Sequence, residues 1–386
     1  MLIYKYANKN EESRSKDKQK KRWKKNMDYQ ISKEESDRIQ FLRLIFSVMV
    51  VFIHSYTEKV NFAGVVMEVQ ESAGMEWFKF TVSNILSRCA VPGFFLISAV
   101  LLYKKDLSWK KNIKRKIQSL FVPYFILNTF WIAVLYGIQK IPVSRLFFHG
   151  SKNIISQWGL MEWADAYLGI TRDPMLYPLW FIRDLMILNV IAKILKIAID
   201  RFPKICFILI VAALLFNIDS GIFCLKTDAA AFFCMGYYIV KYNLRFRILD
   251  KVPIALIGFL YVGLICVEYL TNGIPALFII YALSKALGIL FWARVSKYFM
   301  GSRYKNRLLW VAKYNFSIYL FHELSLTMLK KALFKIFAAN VFLQESVYFI
   351  LPVVIIPFCI FLSRIMEKVM PGVYRVLTGD RKQYSE

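Results

Sequence analysis

Apolar runs long enough to cross a bilayer recur along most of this 386-residue chain, and nothing else constrains its fold as strongly. Inside hydrocarbon every backbone N–H and C=O must be satisfied within the protein, so such runs become helices or closed barrels. The runs here are continuously apolar rather than alternating, which selects helices. Composition agrees. Hydrophobic residues make up 58% of the chain and the mean hydropathy is +0.44, more apolar than water-soluble domains of this length. The expected fold class is all-α: a polytopic transmembrane helical bundle of about ten membrane-spanning helices. The helices are expected near 39–57, 83–103, 117–139, 177–199, 203–217, 228–242, 252–270, 275–293, 308–329 and 346–368.

The formal charge of +26 suggests nucleic-acid binding until its distribution is considered. The basic residues cluster between the apolar runs, as in KDKQKKRWKK of the N-terminal tail, KKDLSWKKNIKRK, RFRILDK, and Arg294 to Arg307. That is the positive-inside pattern, and no basic face with interleaved aromatics stands outside the runs, so no nucleic acid is expected as partner. The alternate connections are poorer in Lys and Arg. The stretch from Thr57 to Trp77 carries Glu58, Glu68, Glu71 and Glu76 against Lys59. The chain is therefore expected in an inner or plasma membrane, multi-pass, with both termini cytoplasmic. The expected division is a basic N-terminal tail over 1–38, a transmembrane domain over 39–370 and a C-terminal tail over 371–386. Residues Lys330 to Lys335 break the charge rule, being basic on the side assigned to the outside. The first apolar run starts too late and runs too long for a cleavable signal peptide. Met27 also reads as a natural start, and residues 1–26 read as an upstream extension, a polybasic segment near anionic lipid or, most simply, a topology-setting charge run. The six cysteines are scattered, with no CxxC pair, and three histidines argue against a multi-histidine metal site, so no metal is expected.

Within the first run, FLRLIFSVMVVFIHSY, Arg43 and His54 are separated by ten residues. Eleven steps of roughly 100° return almost to the same azimuth, so both side chains share one helix face. Eleven rises of about 1.5 Å set them roughly 16 Å apart. Ionisable residues inside a membrane are costly and are functional candidates by default.

At this point five stretches together resemble the acyltransferase-3 family of bacterial membrane enzymes. They are Arg43-x10-His54 after DRIQFLR; SRCAVPGFFLISAVLLYKK; KRKIQSLFVPYF; YPLWFIRDLMIL; and YNFSIYLFHEL. Each is weak alone; their shared order is specific. The chain departs from the pattern at Ser98-Ala99, where the family commonly has Ser-Gly, and at Glu323, where Pro often follows the late histidine. The resemblance implies an O-acyltransferase, most simply an O-acetyltransferase. Its donor would be acetyl-CoA or another acyl-CoA, used as a substrate, with no permanently bound cofactor. Its acceptor would be a cell-envelope polysaccharide or a lipid-linked glycan precursor.

Such chemistry needs a base for the attacking hydroxyl, a stabilised oxyanion and a grip on the donor's phosphates. A neutral imidazole suits the first, which assigns His54 as base or as a transiently acylated group. Arginine, always charged and shaped for phosphate, suits the other two. Arg43 is thus assigned to catalysis and donor binding, and Arg115, in the basic stretch Lys110 to Lys116, to donor phosphates. Arg88, Arg183, Asp184 and His322, with Glu323 beside it, are expected at a similar depth in the outer half, lining a polar cavity. Arg88 and Arg183 are assigned to acceptor or oxyanion contacts, and Asp184 to pairing with an Arg or orienting His54. Plainer readings compete: snorkelling for Arg43, interfacial anchoring for Arg88, and an interhelical ion pair for Arg183 and Asp184. Ser98 reads as packing. The rival function is a transporter or flippase for an envelope glycan or lipid, which the lack of internal repeats disfavours. A third reading is a non-catalytic partner in glycan assembly.

Overall fold

The computed structural model describes residues 30–62, 65–104, 108–141, 154–216, 218, 225–271, 278–338 and 340–379. The first helix, α1 (Lys33–Ser55), begins where the sequence S-x-x-E supplies a capping box. Ser32 Oγ accepts from the Glu35 N–H at 3.1 Å, and Glu35 Oε2 accepts from the Ser32 N–H at 3.0 Å. The helix therefore starts several residues before the apolar run expected from 39. After it comes a small antiparallel hairpin, β1 (Lys59–Phe62) and β2 (Val65–Glu68), which pairs Lys59 with Glu68. This hairpin is an addition to the all-α expectation.

Two long helical rods follow. Residues Ala73–Tyr103 run as α2 (Ala73–Phe80), a π-turn (Thr81–Ile85), a 3-10 turn (Leu86–Cys89) and α3 (Ala90–Tyr103). Trp109–Gln139 run as α4 (Trp109–Lys116), a π-turn (Ile117–Phe121) and α5 (Val122–Gln139). Both irregular stretches precede a proline, Pro92 or Pro123. A proline offers no N–H and crowds the carbonyl four residues back, so the ladder rewinds just ahead of it. The remaining helices are α6 (Leu160–Leu168), α7 (Trp180–Arg201), α8 (Pro203–Leu215), α9 (Thr227–Lys241), α10 (Phe246–Leu249), α11 (Ile254–Leu270), α12 (Phe278–Met300), α13 (Lys305–Ala312), α14 (Asn315–Ile336), α15 (Val341–Val369) and α16 (Pro371–Leu377).

Among the described residues, each segment expected to be helical is helical over most of its length. The ninth is divided between α13 and α14, with the break at Lys313 and Tyr314. Among the described residues, five helical stretches, against the ten expected, are long and apolar enough to cross a membrane: Lys33–Ser55, Ala73–Tyr103, Trp109–Gln139, Phe278–Met300 and Val341–Val369. Helices α8 and α11 are apolar but shorter.

Helix α1 is the hub of the bundle, packed by α3, α12, α13, α14 and α15. Its Phe41, Phe46 and Val51 are fully buried. Helices α3 and α9 pack closely because Gly236 of α9 has no side chain. A Cβ there would stand 2.5 Å from the Leu96 carbonyl oxygen. Helix α16 folds back under the bundle: Tyr374 and Leu377 are buried, and Tyr374 Oη lies 3.1 Å from Ser317 Oγ.

Candidate active site

A cleft of about 800 Å³ follows α1 for most of its length. Ser36, Gln40, Arg43, Ser47, Val50 and His54 line it, at steps of three and four residues that mark one helix face. The expected shared face of Arg43 and His54 is therefore observed. From Ser36 to His54 the axial distance is roughly 27 Å. Around the Ser36 end the lining is basic, with Lys104, Arg115, Lys116 and Lys313. Tyr374 and Gly379, at the end of the described chain, border the same cleft. Apolar and aromatic side chains, among them Phe94, Trp180 and Phe181, line the walls, and Ser98 faces the cleft as well as the helix packing around it.

At the His54 end three ionisable groups converge. Helix α14 brings His322 and Glu323 against His54, and the donor atoms of all three lie within 4.8 Å of one another. The two imidazole centroids are 5.2 Å apart, and His54 Nδ1 is 3.4 Å from Glu323 Oε2. Tyr177, from the turn leading into α7, places its hydroxyl 2.5 Å from the same Nδ1. His322 is buried, and its Nδ1 lies 3.0 and 2.9 Å from the Ile318 and Tyr319 carbonyl oxygens. Two carbonyls at one nitrogen require a proton there, so in the neutral imidazole His322 Nε2 carries the lone pair. That Nε2 and Glu323 Oε2 are buried without a hydrogen-bond partner. Glu323 Oε1 accepts from the Thr327 hydroxyl at 2.8 Å.

The spacing of His54, His322 and Glu323 would also accept a cation. Lys330 opposes that: its Nζ donates to the His54 carbonyl oxygen at 2.8 Å and brings a positive charge beside the cluster. Lys330, one of the basic residues that break the charge rule, thus has a local partner. Lys330 caps the C-terminal end of α1, where free carbonyls favour a cation.

The remaining expected site residues lie elsewhere, and none of Arg88, Arg183 and Asp184 lines this cleft. Arg88 Nη1 donates to Glu268 Oε1 at 2.5 Å, and its guanidinium sits 5.1 Å from the Tyr281 ring centre. Arg183 donates from Nε to Asp184 Oδ1 at 3.0 Å and from Nη1 to the Gly169 carbonyl at 3.1 Å. The plainer reading of an interhelical ion pair is replaced by one within α7: neighbouring helical residues ordinarily point apart, but here the long guanidinium curls back to its neighbour. The pair clasps the connection after α6, where Gly169 takes φ of +65° and a Cβ would stand 2.2 Å from Arg183 Nη1. The Lys226 N–H, 3.3 Å from Asp184 Oδ2, completes the clasp, so Asp184 pairs with an Arg rather than orienting His54. Tyr177 was the site residue that sequence reasoning missed. It lies 123 positions from His54 and outside any periodic pattern.

In a bundle with several helices long and apolar enough to cross a membrane, the hub helix presents Arg43 and His54 on one cleft face, and His322 meets them there. The family model described as an acyltransferase domain (Acyl_transf_3) matches residues 36–364, and the chain belongs to that family. Among curated proteins it is similar to the succinoglycan biosynthesis protein ExoH of Rhizobium meliloti (strain 1021), with 26% identity over 238 residues. That match covers 60% of this chain and 61% of the relative. No solved structure matches the chain.

Proposed function

We propose that the chain is a membrane-embedded O-acyltransferase that moves an acyl group, most simply acetyl, from acyl-CoA to a hydroxyl of a cell-envelope polysaccharide or its lipid-linked precursor. The observation that carries this reading is the single cleft joining a basic end to an imidazole-bearing end along one helix face. Family membership supports acyl transfer, and the name of the succinoglycan biosynthesis relative supports a polysaccharide acceptor. In this reading the bundle crosses an inner or plasma membrane about ten times, with both termini cytoplasmic. Arg115 and Lys116 hold the donor phosphates, Arg43 holds the donor further along, and the thioester reaches His54. The acceptor arrives at the outer end, beside His54 and His322. His54 takes the hydroxyl proton as the oxygen attacks the thioester carbonyl, then returns it to the departing thiolate.

The test is transfer of radiolabel from acetyl-CoA into envelope glycan in membranes, comparing wild type with His54→Ala and Arg43→Ala at matched expression. Label in wild type alone supports the reading. Incorporation unaffected by His54→Ala overturns the mechanism, and glycan movement without acyl-CoA consumption would favour a transporter or flippase.

A further inference from the structure

Glu323 takes no part in the reaction as set out above, yet it is a buried carboxylate at the base. Its side chain is 15% exposed. Oε1 is satisfied by Thr327, whereas Oε2 is buried without a hydrogen-bond donor and faces His54 Nδ1 at 3.4 Å. The Tyr177 hydroxyl contacts the same Nδ1 at 2.5 Å and is itself influenced by the Glu323 carboxylate. Nδ1 has two possible states. If it is a bare acceptor, Tyr177 spends its hydrogen on it. The Glu323 carboxylate then faces a lone pair, with Oε2 left unsatisfied, which is costly in a buried site. If Nδ1 carries the proton, it donates toward the Tyr177 oxygen and Glu323. The Tyr177 hydrogen is then released toward the carboxylate, and every group has a partner.

We infer that Glu323 is a positioning residue that, with Tyr177, holds His54 in the Nδ1–H tautomer and leaves Nε2 as the base. The inference rests on the acyl-transfer reading above. As the acceptor oxygen bonds to the thioester carbonyl carbon, its proton passes to His54 Nε2. When the C–S bond breaks, that proton passes to the thiolate sulfur, giving ester and free thiol. Glu323 gains and loses no proton. Its charge faces the imidazolium that exists between the two transfers, while Lys330 holds the helix end from the other side.

Two readouts on the full chain in liposomes test this. The first needs no turnover: nitrogen-15 NMR of histidine-labelled protein, with the His54 signals assigned by their loss in His54→Ala. Only three histidines contribute. Wild type is expected to show Nδ1 protonated and Nε2 bare, and Glu323→Gln to shift His54 toward Nε2–H. Wild-type His54 protonated at Nε2 overturns the inference. The second is turnover of acetyl-CoA or succinyl-CoA with membrane glycan. Glu323→Gln is expected to lower kcat by roughly 10²–10⁴-fold with KM for the donor unchanged, and Glu323→Asp to recover part of the loss. A Glu323→Gln variant with wild-type kcat beside an inactive His54→Ala overturns the positioning role alone. An active His54→Ala overturns the base reading, and the inference falls with it.

Discussion

Helix α1 carries two buried charged clusters, and they differ in what is left over. Near its start, Arg38 is 1% exposed and spends four of its five N–H donors. Its two terminal nitrogens bind Asp250 at 2.8 and 2.9 Å, Nε donates to Ser296 Oγ at 2.9 Å, and Nη2 also reaches the Ala293 carbonyl at 2.8 Å. Near its end, the His54 cluster keeps His322 Nε2 without a partner and opens on the cleft. Near-saturation marks the first cluster as architecture. An unspent lone pair beside a cavity is what a reacting site needs.

The comparison breaks most sharply at His54. His54→Ala is expected to reduce acyl transfer by about 10²–10⁴-fold while the melting temperature in detergent stays at the wild-type value. The opposite split is expected of Arg38→Ala. Asp250 loses its bidentate partner, stability falls by about 3–5 kcal/mol, and the transfer rate per folded molecule is retained; melting curves and activity normalised to folded protein check both. Ser296→Ala, which strips the Nε acceptor and the hydroxyl's own donation to the Ala293 carbonyl, should cost about 1–3 kcal/mol in the same melting assay. At the basic end of the cleft, Arg115→Gln should raise KM for acyl-CoA roughly two- to fivefold, with kcat unchanged and the difference shrinking in high salt.

The smallest effect concerns the connection clasped by Arg183. Burial alone would raise the Asp165 carboxyl, but the Thr171 N–H and hydroxyl, with Arg172, hold it below the usual carboxylate range. A depressed folded value means that the contribution is present above the unfolded value of about 4 and is lost as pH falls through the folded one. The Thr171 amide should therefore stay protected from hydrogen exchange at neutral pH and lose protection only in strong acid. In Asp165→Asn it should exchange faster at neutral pH, with little further dependence on acid.

These clusters also show what a sequence discloses. Arg43 and His54 were legible because helical periodicity alone fixes a shared face. His322 was legible as a late ionisable residue in an apolar helix. Glu323 was visible as an ionisable neighbour of His322 and as a departure from the family pattern, and its contact with His54 needed α14 packed against α1. Tyr177 arrives from a turn, where no period operates. Arg88 and Arg183 looked alike in sequence, each an intramembrane arginine. Their partners, Glu268 on a distant helix and Asp184 with the Gly169 carbonyl, are tertiary facts. The helical segments were readable from hydropathy, whereas the early start of α1 depended on a four-residue cap and the break between α13 and α14 carried no proline or glycine signal.

One unbroken helix lines the cleft from Ser36 to His54. The interval between Arg43 and the imidazole is therefore set by residue count, as on a ruler, and not by the posture of a loop. A donor whose reactive carbonyl sits on too short an arm would still occupy the mouth, yet never present its carbonyl to His54. Under the proposed reaction, arm length therefore discriminates between donors where affinity does not, and a one-residue insertion between Arg43 and His54 would turn the two marks of the ruler by roughly 100° onto different faces.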